Sequence, residues 1–248
     1  MAMLEADDPP AVTVVNESGR SRYVLLCEHA SNFIPTRYRK LGLPDHDIQR
    51  HIAYDIGAAG VALKLSAMLD APLVLSGYSR LLIDCNRPIG APTSIPTISE
   101  TTDIPGNIGL DVSERARRAE LFWQPFQRTV SAMLDRRQHA KMPTIVFGVH
   151  SFTPVFKGFV RPWHAGVLFR KSETLSLRLL EALREPGLAV AANEPYQIMD
   201  DHDHTVPVHG EQRGLEALLI ELRQDLIGHN AGQTAWSERL ARTMRDVG

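Results

Sequence analysis

The sequence predicts an α/β protein, a three-layer sandwich in which helices cover both faces of a mostly parallel central sheet. Short runs of branched apolar residues without polar alternation are typical of strands buried on both faces. These runs alternate with longer segments that have the apolar periodicity of amphipathic helices. The chain has 248 residues and no repeat or low-complexity linker. We therefore expect one domain spanning residues 1–248, with residues 1–20 as a peripheral N-terminal segment.

Seven apolar runs are predicted as strands. They are residues 23–27, 73–75, 81–84, 144–149, 166–169, 188–191 and 218–222. Parallel strands require a crossover connection, and a helix between successive runs supplies one.

Four segments are predicted as helices because their apolar residues recur every three or four positions. They extend from after Pro44 to residue 69, from Asp111 or Ser113 towards residue 137, from 173 to 184 and from 231 to 246. Pro125 should kink or divide the second helix, since proline removes a backbone donor.

Two segments lack periodicity. Residues 89–110 are rich in proline, serine and threonine, and a loop of that length in a small domain is usually functional or mobile. Residues 193–214 include alternating aspartate and histidine at 200–204, which we interpret as solvated polar surface rather than a metal cluster.

Composition excludes several classes of partner. Lysine and arginine number 27 against 29 aspartates and glutamates, so no basic excess favours nucleic acid. The chain has no apolar run long enough for a membrane span and no basic leader, so we expect a soluble cytoplasmic protein without membrane partners.

The 2 cysteines of the chain cannot form a cysteine-only zinc site. Any metal must therefore use histidine and carboxylate ligands.

Polar side chains at the carboxyl ends of predicted strands are the first candidates for a site. His29 and His150 follow separate strands, each before small residues, and we predict that both bind metal. A catalytic zinc needs a third nitrogen or oxygen ligand and an open position for water. Asp55 is the better third ligand chemically and Asn32 the alternative, although a helix salt bridge would explain Asp55 equally well.

A second polar concentration surrounds residues 80–88. Arg80 and Arg87 flank a short apolar run, and a guanidinium fork matches a carboxylate in a bidentate fashion. Arg80 could instead pair with Asp84. We favour recognition of a substrate carboxylate, because Asn86 and Arg87 open into the long loop.

Several short motifs resemble the N-formylglutamate amidohydrolase family. They are Glu-His-Ala-Ser at 28–31, Tyr-Asp-Ile-Gly at 54–57, Ser-Arg-Leu-Leu-Ile-Asp-Cys-Asn-Arg-Pro at 79–88, Asn-Glu-Pro-Tyr at 193–196, His-Gly-Glu at 209–211 and Ile-Glu-Leu-Arg-Gln-Asp at 220–225. The resemblance implies a hydrolase that releases formate from N-formyl-L-glutamate, with the fold of the zinc-dependent exopeptidases.

A fainter likeness concerns zinc carboxypeptidases. His150-Ser151-Phe152 is similar to their His-Ser-Tyr segment, which supplies a metal ligand, and Glu221-Leu222-Arg223 is similar to their Glu-Leu-Arg, whose glutamate is the general base. Asn86-Arg87 is similar to their pair that holds a substrate carboxylate. The first ligand motif differs from that of the carboxypeptidases, because Asn32 occupies the position at which they have glutamate.

These likenesses imply a role for each residue. A divalent transition metal, expected to be zinc, would be held by His29, Asp55 and His150. Glu221 would act as general acid and base, and Arg80 would stabilise the oxyanion. A small N-acyl amino acid would be bound by Asn86, Arg87, Tyr196 and Ser151. The alternatives for Glu221 are an ion pair with Arg223, or replacement by Glu211 as proton acceptor. A hydrolase of other N-acyl amino acids, a carboxypeptidase-like enzyme or a non-catalytic module without metal would compete. The sequence does not predict an oligomeric state.

Overall fold

The computed structural model describes residues 7–247. Eleven strands occur there: β1 (Val12–Val15), β2 (Tyr23–Cys27), β3 (Leu73–Ser76), β4 (Ile98–Ser99), β5 (Thr102–Asp103), β6 (Ile145–Phe152), β7 (Val155–Phe156), β8 (Phe159–Val160), β9 (Ala165–Leu168), β10 (Val190–Ala192) and β11 (Glu216–Arg223). The α-helices are α1 (Asp45–Ile48), α2 (Ala58–Leu69), α3 (Val112–Arg118), α4 (Gln124–His139), α5 (Glu173–Leu183), α6 (Gln224–Ile227) and α7 (Asn230–Val247).

Seven strands form the central sheet in the order β1-β3-β2-β6-β11-β9-β10. The four strands β3, β2, β6 and β11 are parallel, whereas β1 and β9 pair with their inner neighbours in antiparallel fashion. The prediction of an α/β sandwich with a mostly parallel sheet is confirmed. Part of the predicted N-terminal segment is the edge strand β1, and residues 1–6 lie outside the described part of the chain.

Helices cover both faces of the sheet. Leu25 and Phe147 point to the face covered by α2, α5 and α7, while Val24 and Val146 point to the face covered by α4. These side chains are fully or almost fully buried. Each buried side chain of this size stabilises the fold by about 1.5–3 kcal/mol, which explains why both faces of the strands are apolar. In residues 7–247 no helix combines the length and apolar character needed to cross a membrane.

The long helix predicted after Pro44 is wrong in its middle. The chain forms the short α1, continues through turns and enters α2 only after Gly57, whose φ is 82°. A side chain at Gly57 would meet the carbonyl of Ile227, so this turn requires glycine. The residues between the two helices are held by long-range backbone hydrogen bonds instead, including one from the Asp55 amide to the carbonyl of His29.

The predicted strand at 81–84 is also wrong. These residues form turns, and Leu81 and Leu82 are buried in a separate apolar cluster with Phe122 rather than in the sheet. An apolar run reports burial but does not distinguish a strand from a buried turn.

The second predicted helix is present in two parts. Asp111 caps α3 by accepting a hydrogen bond of 2.8 Å from the Glu114 amide. A wider helical turn at Ala119–Trp123 joins α3 to α4. Pro125 lies in the first turn of α4. The long loop at 89–110 carries the β4–β5 hairpin. It is held by the buried Arg118, which donates to Asn107 at 2.6 Å.

Candidate active site

The two histidines predicted as ligands meet at the carboxyl edge of the sheet. His29 lies two residues after the end of β2, and His150 lies within the neighbouring β6, which extends further than predicted. Their ring centres are 5.0 Å apart. Between them lies Asp55, whose Oδ2 is 3.3 Å from Nδ1 of His29 and 2.9 Å from Nδ1 of His150. The three residues are all buried.

Two further carboxylates lie behind the histidines. Nε2 of His29 is 2.7 Å from Oδ1 of Asp84, and Nε2 of His150 is 3.1 Å from Oε2 of Glu28. Glu28 also accepts a hydrogen bond from the Thr205 hydroxyl. Histidines that bind metal through one ring nitrogen generally donate the other N–H to a carboxylate or carbonyl. His29 has this orientation, with a hydrogen bond from Nε2 to Asp84, whereas Nε2 of His150 lies near Glu28 without forming a hydrogen bond.

His29, Asp55 and His150 could hold a metal ion. One ligand atom from each lies within 4.8 Å of the others, and among residues 7–247 this is the group with such an arrangement. Two imidazoles and one carboxylate are a donor set that suits zinc. Asn32, the alternative third ligand, donates its amide to the carbonyl of Ile48 and thus lies outside this group.

The protonation of the group depends on these contacts. Burial alone would raise the pKa of Asp55, but His29 and the hydrogen bonds from His150 and His29 hold it well below its ordinary value. Burial opposes the charge of His150, yet Glu28 and Asp55 raise its pKa well above the ordinary value. A proton on the His150 imidazole would therefore compete with metal binding at this residue.

Glu221 lies beside this group. It is opposite His150 in the register between β11 and β6 and is 6% exposed. Its Oε2 has no hydrogen-bond partner, and burial raises the pKa of this carboxyl above its ordinary value. The ion pair with Arg223 does not form, because Arg223 bonds Asp225 at 2.8 Å.

The alternative acid/base, Glu211, lies elsewhere. Its carboxylate is 2.6 Å from a guanidinium nitrogen of Arg170. Glu211 does not line the cavity described below. Glu221 is therefore the better placed of the two glutamates.

Arg80 pairs with acidic residues of the protein. Its guanidinium lies 2.7 Å and 3.0 Å from Oδ2 of Asp84 and 3.3 Å from Oδ1 of Asp55. The ion pair between Arg80 and Asp84, which was the alternative interpretation of the sequence, is thus present. Arg80 still lines the cavity, with 23% of its side chain exposed.

Arg87 makes fewer hydrogen bonds to carboxylates than Arg80 does. Its Nη1 donates to the carbonyl of Asn86 at 3.1 Å and lies 3.9 Å from Asp203, while its buried Nε has no hydrogen-bond partner. The Asn86 side chain is fully used: its oxygen accepts from the amides of His204 and Thr205, and its nitrogen donates to Asp203. Asn86 therefore positions the loop that carries Asp203.

Ser151 and Tyr196 complete the predicted set. The Ser151 hydroxyl donates to the carbonyl of Ile56 at 2.9 Å and its amide donates to Asp55, so it holds the turn that presents Asp55. Tyr196 is 39% exposed, and its hydroxyl accepts a bond of 2.9 Å from Arg161. In the aspartate and histidine run, His202 is half exposed and pairs with Asp201, whereas His204 packs on Trp123.

One cavity of about 580 Å³ is lined by the predicted site residues His29, Asp55, Arg80, Asn86, Arg87, His150, Ser151, Tyr196 and Glu221. Sequence reasoning missed the two carboxylates behind the histidines, Glu28 and Asp84. It also missed three residues of the cavity wall, His51, Glu100 and Asp203. Glu28 could have been found, since it directly precedes His29 in the motif. Glu100 carries no local signal. Asp203 belongs to the aspartate and histidine run that we interpreted as solvated surface, and this is wrong for Asp203, which the folded loop brings to the cavity wall with 13% of its side chain exposed.

The site thus combines a buried group of histidines and carboxylates with an unpaired glutamate. The N-formylglutamate amidohydrolase family matches the chain over residues 21–228, and the chain belongs to that family. It is therefore an enzyme that hydrolyses an amide bond.

Solved structures share the fold of this chain. The gene product Atu2144 from Agrobacterium tumefaciens is 38% identical, with a TM-score of 0.93 over 96% of this chain and 95% of that one. N-formylglutamate amidohydrolase from Ralstonia eutropha JMP134 shares the fold at 16% identity, with a TM-score of 0.65 over 96% of this chain and 97% of that one. No curated protein matches the chain.

Proposed function

We propose that the protein is a metal-dependent amidohydrolase that converts N-formyl-L-glutamate, or a related N-acyl amino acid, to formate or another acid and the free amino acid. One observation carries this proposal. His29 and His150 both direct Nδ1 to Asp55, while a separate carboxylate lies at each Nε2. This arrangement matches that of metal-ligating histidines and leaves Glu221 free beside them.

His29, Asp55 and His150 would hold the metal, with zinc as the ion best suited to them. Such an ion would polarise the amide carbonyl and lower the pKa of a bound water. Glu28 and Asp84 would fix the orientation of the two imidazoles and increase their basicity.

Glu221 would take the proton from the attacking water and return it to the leaving amine. A carboxyl whose pKa is raised by burial is suited to both steps, because it gains and loses a proton near neutral pH. Arg80 would stabilise the negative charge that develops on the carbonyl oxygen. Asp55 and Asp84 hold its guanidinium in place, so little reorganisation is needed during the reaction.

Arg87 would anchor the carboxylate of the amino acid. Its buried Nε lacks a partner, and its contact with Asp203 is long at 3.9 Å, so a substrate carboxylate would satisfy an unmet donor. Tyr196, at the cavity rim, would close over the bound substrate. Ser151 and Asn86 would act indirectly, by holding Asp55 and the loop at Asp203.

Formate release from N-formyl amino acids by the purified protein tests this proposal. We expect activity in protein with one equivalent of zinc, loss of activity after dialysis against a chelator, and recovery when zinc is added back but not magnesium. Full activity in protein shown to be metal-free would contradict the metal-dependent mechanism. Metal binding without hydrolysis of any N-acyl amino acid would favour the non-catalytic module.

A further inference from the structure

Arg161 is a buried arginine whose charge is not matched by a carboxylate. It directly follows β8 and is 5% exposed. Its Nη1 donates to the Tyr196 hydroxyl at 2.9 Å and to the carbonyl of Thr153 at 3.4 Å. Among residues 7–247, no aspartate or glutamate forms an ion pair with it. A buried charge without an opposite charge is costly, so either the surrounding groups or a ligand must compensate it.

Three aromatic rings cover this guanidinium. Its Cζ lies 4.7 Å from the ring centre of Phe156, 4.8 Å from that of Tyr196 and 5.7 Å from that of Phe152. Such rings attract a cation but do not neutralise it. All three aromatic residues line the cavity, although Arg161 itself does not. The charge of Arg161 therefore lies directly behind one part of the cavity wall, where little water screens it.

The Tyr196 hydroxyl connects this charge to the cavity. Its oxygen accepts the hydrogen bond from Arg161, so its own hydrogen is left for another acceptor, and none is present in residues 7–247. Burial raises the pKa of this hydroxyl, so it keeps its proton at neutral pH. A hydroxyl that accepts from a cation is also polarised into a stronger donor. This part of the wall thus suits an anionic acceptor.

The cavity wall is therefore electropositive in two places. Arg87 donates to the carbonyl of Asn86 and lies 3.9 Å from Asp203, whereas Arg161 is held by Thr153 and Tyr196. The two guanidinium groups do not share these contacts, so two carboxylates could bind without competing for one arginine. A volume of about 580 Å³ has room for a small molecule that carries both.

We infer that Tyr196 and Arg161 together recognise a carboxylate on the side chain of the substrate, while Arg87 holds the α-carboxylate. The Tyr196 hydroxyl donates to the side-chain carboxylate. Arg161 is a positioning residue, because it reaches the substrate through this hydroxyl and supplies positive charge from behind it. This inference rests on the proposed function and assigns it a preference for acidic amino acids over their amides.

The first test compares kcat/KM of the parent for three compounds: N-formyl-L-glutamate, N-formyl-L-glutamine and N-formyl-L-leucine. Glutamine has nearly the shape of glutamate without its charge, so the first two isolate the effect of the carboxylate. We expect the glutamate derivative to exceed each of the others by about tenfold or more. Equal or faster reaction of the glutamine or leucine derivative overturns the inference alone. Absence of formate release from all three contradicts the proposed function as well.

Two variants locate the preference. Tyr196→Phe keeps the ring beside Arg161 but removes the hydroxyl, and Arg161→Gln removes the charge. We expect each to lower the ratio of kcat/KM for the glutamate derivative to that for the glutamine derivative by about five- to tenfold. This ratio does not depend on how much of a variant is folded, because both compounds react with the same active enzyme. An unchanged ratio in either variant overturns the inference.

Two further variants serve as controls. Arg136→Gln removes an arginine that pairs with Glu17 at the surface, and it should leave the ratio unchanged. Arg87→Lys should lower kcat/KM for the glutamate and glutamine derivatives alike, because both compounds carry the α-carboxylate. A fall of the ratio in Arg87→Lys as large as that in Arg161→Gln would assign the side-chain carboxylate to Arg87 and overturn the inference.

Discussion

Glu221 and His150 occupy the same register position on the neighbouring parallel strands β11 and β6. Side chains at paired positions of neighbouring strands project to the same side of the sheet, so the carboxyl of Glu221 lies beside His150. Glu221 does not belong to the group of residues that could hold a metal ion. We predict that Glu221→Gln lowers kcat by about 100-fold or more, because the amide keeps the shape but cannot accept the proton. The metal content should remain that of the parent. Loss of metal would identify Glu221 as a ligand, and an unchanged kcat would assign proton transfer to another group.

Asp55 is predicted to be the third metal ligand. Its carboxylate lies between the two imidazoles, whereas the amide of Asn32 is bonded to Ile48. Asp55→Asn should weaken zinc binding by about 100-fold or more, since a divalent ion gains less from a neutral amide than from a carboxylate. Asn32→Ala is the matched control and should bind zinc like the parent. Competition with a fluorescent zinc chelator measures both affinities, and the reverse order would show that Asn32 is the ligand.

Glu28 is predicted to act through His150. Its Oε2 is 3.1 Å from Nε2 of that histidine. Glu28→Gln should lower zinc affinity by about 10- to 100-fold, because the carboxylate fixes the ring and increases its basicity. Thr205→Val, which removes the hydroxyl bonded to Glu28, should have a smaller effect. Calorimetric titration of both variants with zinc checks this order. Equal affinity in Glu28→Gln and the parent would leave Glu28 a purely structural residue.

Arg87 is predicted to bind the α-carboxylate of the substrate. Arg87→Lys keeps the positive charge but loses the bidentate fork, so KM should rise by about tenfold or more while kcat changes less. Arg242→Lys provides a control, because Arg242 pairs with Glu185 at the surface. Steady-state kinetics with one N-formyl amino acid suffices. Parent-like KM values in both Arg87→Lys and Arg87→Ala would place carboxylate recognition elsewhere.

His209 is predicted to make stability depend on pH. It is buried with Nε2 at 2.6 Å from Oε1 of Gln127, and burial, with help from His204 and Arg213, lowers the pKa of its imidazole to about 3. The unfolded chain, with a pKa of 6.5 at this residue, binds the proton more readily than the folded one. Stability should therefore decrease as pH falls from 6.5 towards 3.

Thermal unfolding at pH 7.5 and 5 measures this effect. His209→Gln removes the titrating group, so its Tm should fall less over this interval than the Tm of the parent. His139→Gln, at an exposed position, should behave like the parent. A parallel fall of Tm in His209→Gln and the parent would assign the acid sensitivity to other groups.

Much of this enzyme could be predicted from local sequence. The strand Tyr23–Cys27 was predicted with its observed bounds, and His29 and His150 were predicted at the edge where β2 and β6 meet. Apolar runs reveal buried strands because burial requires apolar side chains on both faces. The parallel arrangement then brings the residues at the strand ends together. The sequence by itself thus determined the fold class, and it was sufficient to select the two histidines and Glu221 as candidate site residues.

Tertiary structure decided the rest. Asp55 was expected on a helix, but bonds to the strand ends hold it in a turn, where it reaches both histidines. Arg80 is paired with Asp84 and Asp55 because folding buries these two carboxylates beside its guanidinium, and unpaired buried charges are costly. Apolar periodicity reports which side chains leave water but not which distant groups they meet. The partners of each charge, and hence the charge of the cavity wall, were therefore determined only by the folded chain.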